Sequence, residues 1–362
     1  DVGSMPFQGD WKLFTLGIKD YQRGVKNSSA AQYFAGKIVE CFVDKVKVGV
    51  DTPNYPQFRD MNEMFIEAFE GLIPVENGYM AGERLSLKPG MEVIPEVQAL
   101  KDHAKEVLER TGNQVEVKLK VCITGPYTLC SSFLYRDAGL FRQIGSLLAQ
   151  ITSKNLFKAK GFKVSLLALD EPVFGVIDDP LLDYGSEARE ALRKAWENIF
   201  WEAKSRGVET AIHLHDTRNE LFWEVENLNI VESHVGDEIY SSRKVADRLS
   251  ETGKRLKVSV AITDFDSLVK AKIEREKPQL KGEAVEQLIG GVWKAIKKGE
   301  VPPENYLESV EIMVGRLKAA LNLFGLEAVA YAGPECGLKS FPTYQCALEC
   351  LRRTVEASRR PI

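Results

Sequence analysis

The chain has 362 residues, of which 44% are hydrophobic and 28% charged, with a formal net charge of −4. This is the composition of an ordinary folded protein rather than a disordered one, and no basic stripe interleaved with aromatics offsets the negative balance, which sets aside a nucleic-acid surface. No run approaches about 18 apolar residues and no charged and apolar leader opens the chain, so neither a membrane span nor a signal peptide is expected. The six cysteines (Cys41, Cys122, Cys130, Cys336, Cys346 and Cys350) lack the dense spacing of a disulfide framework. They read as reduced thiols of a cytoplasmic protein, with one or two available to a metal.

Taken in chain order, short β-branched runs alternate with longer helical patterns. The opening "DVGSMP" contains a Gly-Ser-Met string of the kind a cloning scar leaves, although Val2 also suits the end of a strand. "AAQYFAGKIVECFVDKV" (30–46) has helical periodicity, and "VKVGV" (46–50) reads as the second strand. Residues 51–100 fit the alternation least: a turn-rich stretch is followed by "NGYMAGERLSLKPGMEVIP", which reads as a hairpin or irregular excursion. Further strands are expected at "EVKLKVCI" (116–123), "KVSLLAL" (163–169), "ETAIHLH" (209–215), "NIVES" (229–233), "LKVSVAI" (256–262) and "EAVAYA" (327–332). Helical patterns at 141–161, 186–206, 245–254 and 309–325 separate them. Parallel neighbours need crossover connections, so strands alternating with helices imply a parallel sheet. Eight such units predict an α/β fold, a single (βα)8 TIM barrel over 1–362, with residues 51–100 inserted after the second strand as a wall of the substrate site.

Active sites of such barrels lie at the C-terminal ends of the strands. The residues expected there are Gly3 and Ser4, Asp51 and Thr52, Thr124 to Pro126, Asp170 to Pro172, His215 to Thr217, Glu232 to His234, Thr263 to Asp266, and Gly333 to Cys336. Each has an ordinary structural explanation alone; their convergence on one ring is the stronger signal. An imidazole, a carboxylate and a thiolate are all good zinc ligands, and His215, Glu232 and Cys336 sit at the ends of the fifth, sixth and eighth expected strands. His213 shares a strand face with His215 because side chains alternate, so the pair reads either as core histidines or as metal-site neighbours. In "LDEP" (169–172), Asp170 and Glu171 face opposite ways, and at most one enters the barrel mouth.

Several strand ends resemble the C-terminal catalytic domain of cobalamin-independent methionine synthase, within the wider superfamily of uroporphyrinogen decarboxylase and methylcobamide:coenzyme M methyltransferases. "VGSMP" is similar to that family's opening Gly-Ser motif, "TGPYTL" to its third-strand motif and "LDEP" to its substrate-acid motif. "IHLHDT" and "VES" resemble its zinc strand and zinc glutamate, and "GPECGLKSF" its zinc cysteine. The matches run in order along the whole chain. The resemblance implies Zn2+ at His215, Glu232 and Cys336, with Gly3, Ser4 and Asp170 beside the amino-acid part of a homocysteine-like thiol. A zinc-held thiolate would then take a methyl group to give methionine.

Three positions depart from the family pattern. Thr217 stands where the family has a zinc cysteine. Asp266 stands where it has a proton-donating histidine, and a carboxyl group serves as an acid only if burial or another charge such as Asp264 raises its pKa. Ser132 stands where a folate-stacking tryptophan is expected, which implies a methyl donor other than folate, a methylated corrinoid or its carrier protein. Competing readings are a methyltransferase acting on coenzyme M or another thiol, a uroporphyrinogen-decarboxylase-like lyase drawing on Arg59 and Arg84, and a non-catalytic barrel that binds a corrinoid or metabolite. A metal-dependent hydrolase built on His-x-His would need more histidines, and only His103 and His234 remain.

Overall fold

A computed structural model describes residues 1–112 and 116–361. Its strands in chain order are β1 (Phe69–Val75), β2 (Gly78–Leu87), β3 (Val117–Thr124), β4 (Lys158–Ala159), β5 (Phe162–Glu171), β6 (Glu209–Leu214), β7 (Ile230–Glu232), β8 (Arg255–Ala261) and β9 (Val329–Pro334). β3, β5, β6, β7, β8 and β9 pair in that spatial order, all parallel. Long helices supply most of the crossovers: Ala138–Asn155 returns the chain from β3 to β5, and Glu187–Lys204 from β5 to β6. Asp137 and Ser186 start these helices by accepting hydrogen bonds from Leu140 N and Arg189 N, the preferred use of a short polar side chain before a first turn. The run Leu166 to Leu169 in β5 is buried throughout, as expected of a strand covered on both faces.

Residues 46–50 do not form the expected second strand. Val46 and Lys47 close the helix Ser29–Lys47, and Gly49, with φ of 99°, turns the chain out of it. The β-branched run misled because Val39, Phe42, Val43 and Val46 also repeat at helical spacing, and all four are buried. The sheet is instead extended beyond β3 by Asn54, which forms a parallel bridge with Lys120, while Gln57 forms one with Ser4. From there Ser4 O accepts a hydrogen bond from Leu338 N at 2.8 Å, which links the N-terminal segment to the chain just past β9. The excursion before β3 contains a β1–β2 antiparallel hairpin, whose second strand lies in the 77–95 stretch read as a hairpin or irregular excursion. All six cysteines are unpaired thiols, and only Cys336 is not fully buried. Among the described residues no helix is long and apolar enough to cross a membrane.

Candidate metal centre

Register brings the chemistry of three strands together. On β6, His213 lies opposite Asp170 of β5 on one side and Glu232 of β7 on the other. His215 follows two residues later, just past the strand, with its ring 5.3 Å from that of His213. His234 stands two residues beyond Glu232, and its ring centroid is 3.9 Å from that of His215. Cys336, two residues past β9, places Sγ 3.8 Å from His215 Nε2. Each of His213, His215, His234 and Cys336 offers one ligand atom, and these atoms lie within 4.8 Å of one another. Three of the chain's four histidines thus meet its one partly exposed thiol.

The electrostatics suit an anionic sulfur. Burial opposes ionisation of Cys336, but the three imidazoles of His213, His215 and His234 around its sulfur outweigh it and push the thiol down to about 3. Burial likewise opposes charge on His213, yet Cys336 and Glu232 push it up to about 10. Several buried atoms here have no aligned hydrogen-bond partner: both ring nitrogens of His213, His234 Nε2, both oxygens of Glu232 and Asp170 Oδ1. Buried polar atoms are normally satisfied, so their concentration beside four ligand atoms fits a divalent metal with nitrogen and sulfur donors.

Of the residues expected to bind zinc, His215 and Cys336 are in this group and Glu232 is behind it. Glu232 is fully buried, ion-paired with Lys257, 3.8 Å from Lys120 Nζ and 3.3 Å from His213 Nδ1. Burial would raise its pKa, but Lys257, Lys120 and His213 hold it well below the usual range. Thr217 turns away from the group: its hydroxyl donates to Asp237 Oδ1 at 2.5 Å and its N–H to Oδ2 at 3.2 Å. The strand-end reading put His234 on the ring without making it a zinc ligand, and it stands in the group. The alternation that pairs His213 with His215 also pairs Glu232 with His234, and that signal was available.

The residues expected to bind substrate fall into two places. Asp170 is buried and accepts from Cys122 Sγ at 2.5 Å, and burial pushes its carboxyl pKa up against the nearby His213 and Lys120. Its neighbour Glu171 points the other way, accepting from Tyr127 N at 3.0 Å, Thr128 N at 2.7 Å and Trp196 Nε1 at 2.8 Å. Gly3 O accepts from Lys45 Nζ at 3.1 Å. A side chain on Gly3 would strike Asn54 and Gln57, and one on Gly337 would strike Ser4 Oγ. Asp266 is exposed in the first turn of the helix Phe265–Glu276 and accepts from Trp293 Nε1 at 2.6 Å. Arg59 is committed to a bidentate pair with Glu96 at 2.7 and 2.8 Å, and Arg84 is exposed on β2, so the arginine cluster of a decarboxylase is not assembled from them. A cleft of about 950 Å3 opens beside His215 and His234, with Trp223, Arg218, Lys244 and Arg248 among its walls.

No family model and no curated protein matches the chain. Among solved structures it is similar to a B12-independent methionine synthase from Shewanella sp. W3-18-1 in complex with selenomethionine. The TM-score is 0.60 and the identity 15%, over 98% of this chain and 94% of that one. A putative vitamin-B12 independent methionine synthase from Listeria monocytogenes is similar with a TM-score of 0.54 and 15% identity, over 99% of this chain and 95% of that one. At this identity the likeness establishes a shared fold.

Proposed function

We propose that the chain is one (βα)8 barrel domain and a zinc-dependent methyltransferase that passes a methyl group to a small thiol, homocysteine, to give methionine. The barrel reading adds the segments around Ser4 and Asn54–Gln57 to the six parallel strands as two further staves, with the β1–β2 hairpin in the excursion after the second. The observation that carries the functional reading is the convergence of His215 and Cys336 with two more imidazoles at strand ends, where this fold places its chemistry.

Zinc held there would supply the Lewis acidity that makes a thiol a thiolate at neutral pH. The remaining work is positioning. Asp170 presents a carboxylate oxygen without a hydrogen-bond partner among the described residues, suited to an amino-acid ammonium, with Gly3 and Ser4 on the adjacent segment shaping the place for its backbone part. Cys122, held neutral chiefly by burial, orients Asp170 through its S–H. Asp266 is the proposed proton donor, acting from the rim. The cleft beside His215 and His234 gives room for a bulky donor, and the proposed donor is a methylated corrinoid, free or on a carrier protein, rather than a folate.

The test is demethylation of methylcobalamin by zinc-loaded protein, followed by the cobalamin spectrum and by mass detection of methionine. Turnover with homocysteine is expected. Turnover with coenzyme M alone would move the acceptor, and no turnover with either thiol would overturn the proposal.

A further inference from the structure

The ligand set differs from the one the strand-end motifs imply, and the difference lies in the chain's own substitutions. We propose that His234 takes the ligand place that Thr217 leaves, so that a divalent metal is held by His213, His215, His234 and Cys336, while Glu232 serves as the outer carboxylate that orients His213. The inference rests on the zinc part of the functional reading and is independent of methyl transfer.

Three observations support it. Thr217 is occupied, with both its hydroxyl and its amide on Asp237, and Ser233 Oγ donates to the same carboxylate at 2.8 Å. Asp237 therefore draws residue 217 away from the imidazoles and fixes the β7 turn that carries His234. His234 Nε2 is a buried atom without a partner, in a ring 3.9 Å from that of His215. Lastly, Glu232 is tied down by Lys257, whose ammonium also donates to Pro334 O at 3.1 Å, two residues before Cys336. A carboxylate held by one lysine and approached by a second has little charge left for a metal, but its oxygen 3.3 Å from His213 Nδ1 matches the carboxylate–histidine–metal arrangement in which the far ring nitrogen is the ligand. The proposed site has three nitrogens and one sulfur, with a single thiolate instead of two. Zn2+ and Co2+ both accept such a tetrahedral donor set, and a substrate thiol would have to enter as a fifth donor or in place of one of the four.

Metal content and cobalt spectra test this on the full chain without any turnover assay. Purified protein loaded with Zn2+ is expected to hold one ion per chain, and Co2+-loaded protein to show tetrahedral d–d bands with sulfur-to-cobalt absorption from one thiolate. In competition with a chelator, His234→Ala is expected to weaken Zn2+ by more than about 100-fold, and Glu232→Gln by about 10- to 100-fold. His103→Ala, outside the group, should change nothing. His234→Cys guards against a loss that merely reflects misfolding: it should keep the metal and roughly double the sulfur-to-cobalt absorption. Full Zn2+ affinity in His234→Ala would overturn the inference, as would a Glu232→Gln loss as complete as that of Cys336→Ser, or His234→Cys with an unchanged sulfur band. If the metal pattern holds and no thiol is methylated, the inference stands and the functional proposal falls. If methyl transfer proceeds in a His234→Ala protein with full metal content, the reverse is true.

Discussion

Two fully buried glutamates with one strand between them, Glu171 at the end of β5 and Glu232 at the end of β7, meet the cost of burial in opposite ways. Glu171 is surrounded by N–H donors: two backbone amides at the start of the helix Pro126–Cys130 and the Trp196 indole. Those bonds use both oxygens and tie β5 to its flanking helices, and Gly125 has no side chain because one would strike this carboxylate. Glu232 has no aligned hydrogen bond and is held by lysine charge, one edge turned to His213. A buried carboxylate saturated with neutral donors is part of the frame, whereas one held by point charges is free to serve a neighbour.

The largest expected effect strips Glu232 of its main counter-charge. Lys257→Met should lower stability by about 3–5 kcal/mol in urea unfolding, because it leaves a buried carboxylate with only the more distant Lys120 and the His213 imidazole. A loss under about 1 kcal/mol would mean that the carboxylate is not supported as the contrast requires.

Next is Glu171, whose carboxyl burial pushes up from 4.5 to about 7 against its hydrogen bonds. In the folded protein it keeps its proton between those values, while the unfolded chain has lost its own. Stability on its account therefore falls as pH rises through that window and levels off above about 7, by on the order of 3 kcal/mol. Glu171→Gln should flatten this part of the curve, measured by unfolding at about pH 5 and pH 8; an unchanged slope would assign the titration elsewhere. Thr217→Val, which removes one hydroxyl hydrogen bond, should cost about 1 kcal/mol and leave Zn2+ affinity unchanged, in contrast to His234→Ala. The smallest effect belongs to Asp266→Asn. From its exposed place on Trp293 it should lower turnover by less than about tenfold, below the usual contribution of a buried general acid, and a loss of 100-fold would show that Asp266 is far more than a rim donor.

The sequence made much of this legible. Six parallel strands fall where β-branched runs end in turns, and His215 and Cys336 are found from strand ends alone, because period-two alternation and strand termini are local properties. The second strand was not legible: an apolar run that ends a helix looks the same as one that forms a strand, and the bridges at Ser4 and Asn54 are too short to carry a pattern. Glu232 shows a different limit. Its identity and position read as a ligand, and only the packing of Lys257 and Lys120, from two other strands, shows where its charge is spent. His234 was visible as a histidine two places past Glu232, but choosing between them required knowing which one the lysines hold.

The bond from Leu338 N to Ser4 O also bears on the order in which the chain is made. Residue 4 is made well before residue 338, so this contact, and with it the placing of Cys336, must await the synthesis of everything between them. The three histidines can gather before the sulfur arrives. Under the proposed ligand set, a metal captured during synthesis would first meet nitrogen alone, and β9 would decide whether it stays.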